Sequence, residues 1–219
     1  MTYNEIDTLE TTVREIAGVL TTMGDPHEIV IVDDGSTDGS GDVADLLSAR
    51  LPCVRVVHHP ANLGLGGVYR TGFAETRGDV VSFFPADGQF PASILPDFRR
   101  AITNNDMVLG YLPDRRGSVV GQVLSGVERM LYRGLFGRMP RFQGVLMYRT
   151  TLLPRFRLRS EGRGWAVLME LILRADRGGC RLVSMPTGFR PRQHGVSKVQ
   201  NWRTIVSNVR QMLALRRLL

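Results

Sequence analysis

In the stretch Val80–Phe90, VVSFFPADGQF, a carboxylate and an amide oxygen stand two residues apart just after an apolar run. Side chains at i and i+2 share a face of extended chain, so Asp87 and Gln89 can meet one hard cation or one hydrogen-bonding ligand together. Val80, Val81, Phe83 and Phe84 read as a strand buried on both faces that stops at Pro85. That places the two polar groups at the carboxyl edge of a sheet, where open α/β folds bind ligands. Pro-Ala-Asp-Gly is also ordinary β-turn sequence, so the pair gains weight only from other residues delivered to the same edge. Those are Asp33 and Asp34, which close another short apolar run, and, far along the chain, Arg192 and Lys198. Acids paired with late cations suit a nucleotide diphosphate. The acids hold base, ribose and a divalent metal, and the cations take the charge of the departing phosphate.

The elements that must position these residues follow from hydrophobic periodicity. Ile6, Leu9, Val13, Ile16, Ala17 and Leu20 recur at helical spacing over residues 5–23, and Gly24-Asp25-Pro26 ends that pattern. A strand over 28–33, a Gly/Ser/Asp loop, a helix over 41–51, a strand over 54–58 and a helix over 67–77 open a parallel βαβ sheet. Asn62-Leu-Gly-Leu-Gly-Gly67 lacks the spacing of a dinucleotide fingerprint, so its glycines are read as loop-to-helix packing rather than a phosphate cradle. Further on, helices are predicted over 91–104, 117–136 and 165–178, strands over 106–111, 145–148 and 181–185, and a loop over 186–198. From Trp202 to Leu219, Ile205, Val209, Met212 and Leu213 oppose Arg203, Arg210, Arg216 and Arg217. That is the pattern of a helix lying in a headgroup layer and equally of one packed on its own domain.

The chain has 219 residues, 43% hydrophobic and 22% charged, which fits one globular α/β domain. Its 28 Lys+Arg against 21 Asp+Glu give a net charge of +7. That favours a phosphate-bearing ligand or an anionic membrane surface. No basic stripe interleaved with aromatics accompanies the charge, which argues against nucleic acid. Cys53 and Cys180, without CxxC spacing, are read as buried structural thiols in a reducing compartment. No leader and no spanning apolar run is visible, so the expected location is cytoplasmic, peripheral at the cytosolic face of a membrane.

Tyr3-Asn4-Glu5, EIVIVDDGSTDGS (Glu28 to Ser40), NLGLGG, the ADGQ loop, MELILRA (Met169 to Ala175) and RQHGVSK (Arg192 to Lys198), in that order, resemble the inverting family 2 glycosyltransferases. The nearest likeness among them is the dolichol-phosphate mannose synthase type. The resemblance implies a GT-A fold, a Rossmann-like α/β architecture with a mostly parallel central sheet flanked by helices. It would occupy residues 1–198, followed by a basic amphipathic helix over 199–219 as a membrane-surface contact. It also implies transfer of a sugar from a nucleotide diphosphate to a polyprenyl phosphate with inversion, assisted by Mg2+ or Mn2+, with a membrane-protein partner left open. By the same resemblance Tyr3, Glu5, Val32 and Asp34 hold the nucleoside, Ala86 and Asp87 contact the donor, and Asp87 and Gln89 bind metal. Arg192 and Lys198 close over the phosphates. Glu170 is either a general base, which only a hydroxyl acceptor would need, or a structural residue. A non-catalytic nucleotide-sugar-binding relative is the alternative from another class.

The sequence departs from that pattern in four places. Pro85 replaces the first acid of the metal loop. Gly110-Tyr111-Leu112 lacks a donor-side arginine unless Arg115 or Arg116 substitutes, and Leu146 stands where an arginine is common. The chain also opens at Met1-Thr-Tyr-Asn-Glu, where the family has a whole strand. The expectation is a start downstream of the true one, or a degenerate copy, with unpaired backbone groups on the neighbouring strands.

Overall fold

The computed structural model describes residues 1–113, 130, 133–191 and 202–219, the last segment with side chains from 210 onward. Helix α1 (Ile6–Met23) ends at Gly24, whose left-handed backbone returns its N–H to Leu20 and Thr21. Then come β1 (Ile29–Asp33), α2 (Ser40–Arg50), β2 (Val54–His58), α3 (Gly64–Glu75) and β3 (Val80–Phe83). Helix α4 (Leu95–Ala101) has a 3-10 turn at each end and leads into β4 (Met107–Tyr111). The second half contains β5 (Leu146–Arg149), the short α5 (Leu152–Arg155), α6 (Ala166–Arg177), β6 (Leu182–Pro186) and α7 (Trp202–Leu218). Of the helix predicted over 117–136, only residues 130 and 133–136 are described, and they are helical.

The strands form two sheets. β1 pairs with β2 in parallel, and a second sheet runs in the order β3-β5-β4-β6. β4 and β6 are parallel, while β5 runs antiparallel to both of its neighbours. The sheet is therefore mixed rather than a parallel run. β3 is half-covered, with Val81 and Phe83 buried but Val80 and Ser82 partly exposed, which corrects the expectation of burial on both faces. The two thiols are likewise only partly buried.

Met1 and Thr2 join the two sheets at one end. Thr2 N–H donates to Val32 O (3.0 Å) and Thr2 O accepts from Asp34 N (2.9 Å). On the other side Met1 O accepts from Ala86 N (3.0 Å), and the Met1 amino group donates to Phe84 O (3.2 Å). The backbone groups at the carboxyl ends of β1 and β3 are thus paired, where the sequence predicted orphans. Away from this bridge, β1 pairs only with β2 and β3 only with β5 among the described residues.

Helix α1 packs across both sheets. Leu9 and Val13 belong to the cluster over β1 and β2, with Ile31, Leu47 and Val54, while Ile16, Val19, Leu20 and Met23 lie against the cluster over the second sheet. Helix α6 is deeply enclosed, and from Ala166 to Leu173 every residue is buried. Helix α7 docks on it. Met212 and Leu215 enter the main core, and Arg174 donates to Leu218 O at 3.0 Å. No helix among the described residues is long and apolar enough to cross a membrane.

Candidate functional site

Both aspartates that close β1 are buried, and a buried carboxylate needs donors. Asp33 accepts from Ser36 N (3.2 Å) and faces His58 Nδ1 (3.0 Å), whose other ring nitrogen meets Asp45 (3.0 Å). These two carboxylates, Asp45 first, raise the pKa of His58 above its ordinary value. Asp34 is 2% exposed and accepts from His59 Nδ1 (2.7 Å), Leu63 N (2.8 Å) and Gly64 N (2.9 Å). Its negative charge sits at the amino end of α3, where free N–H groups favour an anion. The carboxylate that the resemblance assigns to the nucleoside is therefore turned inward, tying β1 to α3. Val32 is buried as well, and its carbonyl accepts from Thr2.

The loop after β1 interlocks with the start of α1. Asn4, with a φ of 54°, donates from its backbone to Ser36 Oγ (2.9 Å) and accepts Thr37 N on its side chain (2.8 Å). Glu5 N reaches Ser40 Oγ (2.9 Å), and Asp38 accepts from Ile6 N (3.1 Å) and Ser40 N (2.9 Å). Asp38 thereby serves the starts of α1 and α2 together. Tyr3 and Glu5 remain partly exposed on this clamped turn.

The Thr2 bridge sets that turn beside the Asp87 loop. Asp87 Oδ1 accepts Gln89 N (3.1 Å) in an Asx-type turn around Gly88, whose φ of 67° suits glycine. Ala86 is fixed on both sides, through Met1 O and through Thr12 Oγ1, which donates to Ala86 O (3.3 Å). Asp87 and Gln89 are half-exposed, so one carboxylate and one amide face the edge. No group of three or more His, Cys, Asp or Glu side chains arranged to hold a metal ion exists among the described residues. The donor set therefore fits an open site of the magnesium kind, where one or two protein oxygens leave the remaining positions to substrate phosphates and water.

A third loop, residues 187–191, runs along the second. Arg190 N donates to Gln89 O (2.8 Å), and Phe189 stacks edge-on against Phe90 with centroids 5.5 Å apart. Glu15 of α1 accepts both guanidinium nitrogens of Arg190 (2.7 and 3.0 Å) and also the Ala92 N–H (3.0 Å). Arg190, by its hydrogen bonds, holds the Glu15 carboxyl below the ordinary carboxylate range. Arg192 and Lys198 lie beyond this loop and outside the described residues, as do Arg115 and Arg116.

Several functional placements were not visible in the sequence. Arg141 lies over the Tyr111 ring, 5.6 Å from its centroid, which brings a cation to the end of β4 where the expected arginine is missing. Leu146, in the position where an arginine is common, is a fully buried strand residue. Glu170 is also fully buried. Its oxygens accept from Arg159 N, Ser160 N and the Arg174 guanidinium at 2.8 to 3.1 Å. The NLGLGG glycines make room for backbone: Gly66 N donates to Arg163 O (2.8 Å), and a Cβ on Gly66 would sit 2.0 Å from Gly162 O. That agrees with their reading as packing residues. The sequence offered no signal for Glu15, Arg190 or His59, whose partners come from distant segments.

Three comparisons bear on the arrangement. The profile described as glycosyl transferase family 2 matches residues 1–152. An undecaprenyl-phosphate mannosyltransferase of Micrococcus luteus is 31% identical over 209 residues, covering 90% of this chain and 84% of the relative. A dolichol-phosphate mannosyltransferase of Pyrococcus furiosus is 30% identical over 234 residues, 98% of this chain and 61% of that longer relative. Among solved structures, glucosyl-3-phosphoglycerate synthase from Mycobacterium tuberculosis with Mn2+ and UDP-glucose superposes with a TM-score of 0.74 at 20% identity, covering 99% of this chain and 77% of the other. That likeness establishes the GT-A-like α/β fold.

Proposed function

The chain belongs to glycosyl transferase family 2, and from that premise we propose that it transfers a sugar of the mannose type from a nucleotide diphosphate to a polyprenyl phosphate with inversion. The observation that carries the reading is the meeting of three loops at one sheet edge. The Tyr3–Glu5 turn and the Asp87–Gln89 loop are joined through Met1 and Thr2, and the loop leading to Arg192 is bonded to Gln89. The names of the two mannosyltransferases support the donor and acceptor classes.

In this reading Tyr3 and Glu5 line the nucleoside end, and Asp34 acts from behind by fixing the loop. Asp87 and Gln89 would hold Mg2+ or Mn2+ against the diphosphate, where the ion supplies charge neutralisation for the leaving group. Arg192 and Lys198, with Arg141 at the end of β4, take the remaining phosphate charge. An oxygen of the acceptor phosphate, already ionised, bonds to the anomeric carbon from the face opposite the diphosphate. The carbon–oxygen bond to the diphosphate breaks and both of its electrons leave with that group. No proton has to be removed, so no general base is required. Glu170, with both oxygens engaged inside the core, is the structural residue of the pair of roles considered for it. That disfavours a hydroxyl acceptor. Residues 1–198 then form the catalytic domain at the cytosolic face of a membrane, with the tail helix α7 docked on it through Met212 and Leu215.

The test is calorimetric titration of GDP-mannose and UDP-glucose with and without Mn2+, followed by transfer to a polyprenyl phosphate in detergent. Asp87→Asn keeps the oxygen that accepts Gln89 N and loses the charge. It should lower transfer by about 100-fold or more while melting like the parent. A folded protein that binds neither donor with metal, or an Asp87→Asn variant as active as the parent, would overturn the reading.

A further inference from the structure

The chain from Thr150 to Trp165 carries Arg155, Arg157, Arg159 and Arg163 against one acid, Glu161. The stretch alternates. Arg155, Arg157 and Arg159 are exposed, while Phe156 and Leu158 are partly buried against the main core. Its backbone is held from beneath, because the buried Glu170 carboxylate accepts the N–H groups of Arg159 and Ser160. The strip is therefore a fixed row of charges rather than a loose loop.

The cations differ in how they are used. Arg155 donates to Gly178 O (2.7 Å) and lies 5.1 Å from the Phe156 ring centroid. The guanidiniums of Arg157 and Arg159 are exposed and make no hydrogen bond or ion pair among the described residues. Arg157 and Arg70 line an open groove together with the apolar side chains of Phe73, Leu153, Phe156 and Leu158. The tail helix, the other candidate for a membrane contact, has already committed Met212 and Leu215 to the core. What it leaves exposed near the end includes Arg210, Leu213, Arg216 and Arg217, and Arg174 of α6 holds the Leu218 carbonyl.

We propose that the Arg155–Arg159 strip and its groove are the surface by which the protein lies on an anionic phospholipid bilayer. The guanidiniums sit at the level of the lipid phosphates, and the groove takes part of an acyl chain. Charge complementarity selects anionic lipid, and the apolar lining beside the cations separates a bilayer from a purely polar polyanion. The proposal rests on the reading of a lipid-phosphate acceptor only for its purpose; the binding itself needs no turnover.

The experiment is co-sedimentation of the full chain with phosphatidylcholine vesicles, with and without phosphatidylglycerol, at low and raised salt, beside donor binding in solution. The parent should prefer the phosphatidylglycerol vesicles and lose them with salt. Arg157→Gln combined with Arg159→Gln should weaken binding by about 30-fold, from roughly fivefold per arginine near a charged surface. Because neither guanidinium bonds within the described fold, melting and nucleotide-sugar affinity should not change. Arg216→Gln with Arg217→Gln should cost about twofold at most. The proposal is overturned if the parent shows no preference for anionic vesicles, if the strip variant binds like the parent, or if the tail-helix variant accounts for the loss. It is equally overturned if inorganic phosphate or a single-stranded oligonucleotide displaces the vesicles at comparable concentrations, since the strip would then be a general anion site. Loss of donor binding in the parent with vesicle binding intact would count against the proposed function and not against this surface.

Discussion

Glu15 is the side chain whose removal best tests how the site is assembled. It accepts two hydrogen bonds from Arg190 and one from Ala92 N, so one carboxylate joins α1, the segment after Gln89 and the loop after β6. Charge-assisted hydrogen bonds of this kind are worth about 1.5–3 kcal/mol each when well shielded. The side chains here are 46% and 30% exposed for Arg190 and Glu15, so water offsets most of that. The net coupling should be about 1 kcal/mol. Glu15→Gln retains an oxygen for Ala92 and should lower the melting temperature by about 2–4 °C in a chain of this size. Glu15→Ala also leaves the Ala92 N–H without its partner, at about 1 kcal/mol more. A double-mutant cycle of Glu15→Gln with Arg190→Gln, read by urea unfolding, should return the coupling as a non-additive term. The pH dependence has a definite sign. The folded-state pKa of Glu15 is depressed, so its contribution is complete above the ordinary value of 4.5 and fades as pH falls through the folded value. The deficit of Glu15→Gln should therefore shrink in acid. Because Arg190 N also bonds Gln89 O, the variant should weaken donor binding several-fold with a smaller effect on kcat. Additive single mutants, or a deficit as large in acid as at neutral pH, would refute the staple.

Three further outcomes are expected. His58 has a pKa raised by Asp45 and Asp33, so its stabilising pairing is complete below its ordinary value of 6.5 and lost as pH rises through the folded value. Urea unfolding of His58→Gln across that window should show a flatter stability profile than the parent, and identical slopes would contradict the assignment. Gly66→Ala forces a methyl to within 2.0 Å of Gly162 O and 2.7 Å of Gly164 O. Both contacts are with backbone, so thermal melting should report a loss of about 2–3 kcal/mol; an unchanged melt would mean that the loop over α3 is not packed as described. Glu170→Gln leaves the Arg174 guanidinium without a full counter-charge and should cost about 3 kcal/mol in unfolding free energy. Activity per folded molecule should persist, and a collapse of activity at unchanged stability would restore Glu170 as a catalytic base.

The parts of this fold that the sequence made legible are those set by local pattern. The β-branched run VRVVH gives a strand over the same residues, Val54–His58, that periodicity predicts. Helix α3 begins three residues earlier than expected, at Gly64, because its start is fixed by remote groups. The Asp34 carboxylate takes the Leu63 and Gly64 N–H groups, and the 162–164 backbone presses on its glycines. No window of the local sequence contains those partners. The antiparallel setting of β5 is hidden for the same reason, since a four-residue strand carries no mark of its neighbours. Among the site residues, Asp87 and Gln89 follow β3 as half-exposed residues of a turn written in Asp-Gly, with Gly88 at a φ of 67° in place of the extended chain that the i, i+2 argument assumed. The inward turn of Asp34 was not legible, because which of two adjacent carboxylates faces ligand depends on His59 and Leu63 across the loop.

Helix α1 shows why a hydrophobic stripe underdetermines a site. The periodicity that found the helix counts Ile6 on its apolar face, yet Ile6 is 42% exposed, while Thr8 and Thr12 are buried. The polar positions are enclosed because the helix crosses between two sheets that, among the described residues, are joined at this end through Met1 and Thr2. Thr12 reaches the Ala86 carbonyl and Glu15 reaches Ala92 and Arg190, so each fixes the Asp87 loop from a helix whose apolar side chains grip both sheets. The spacing between the Asp33–Ser40 loop and the Asp87–Gln89 loop is then set by one rigid element rather than by a continuous ladder of strand hydrogen bonds. A change that tilts α1 by a fraction of an ångström moves one loop relative to the other. It follows that polar substitutions on the inner face of α1 should alter donor affinity before they alter secondary structure, because Thr12 and Glu15 act on the Asp87 loop through its backbone and through Arg190.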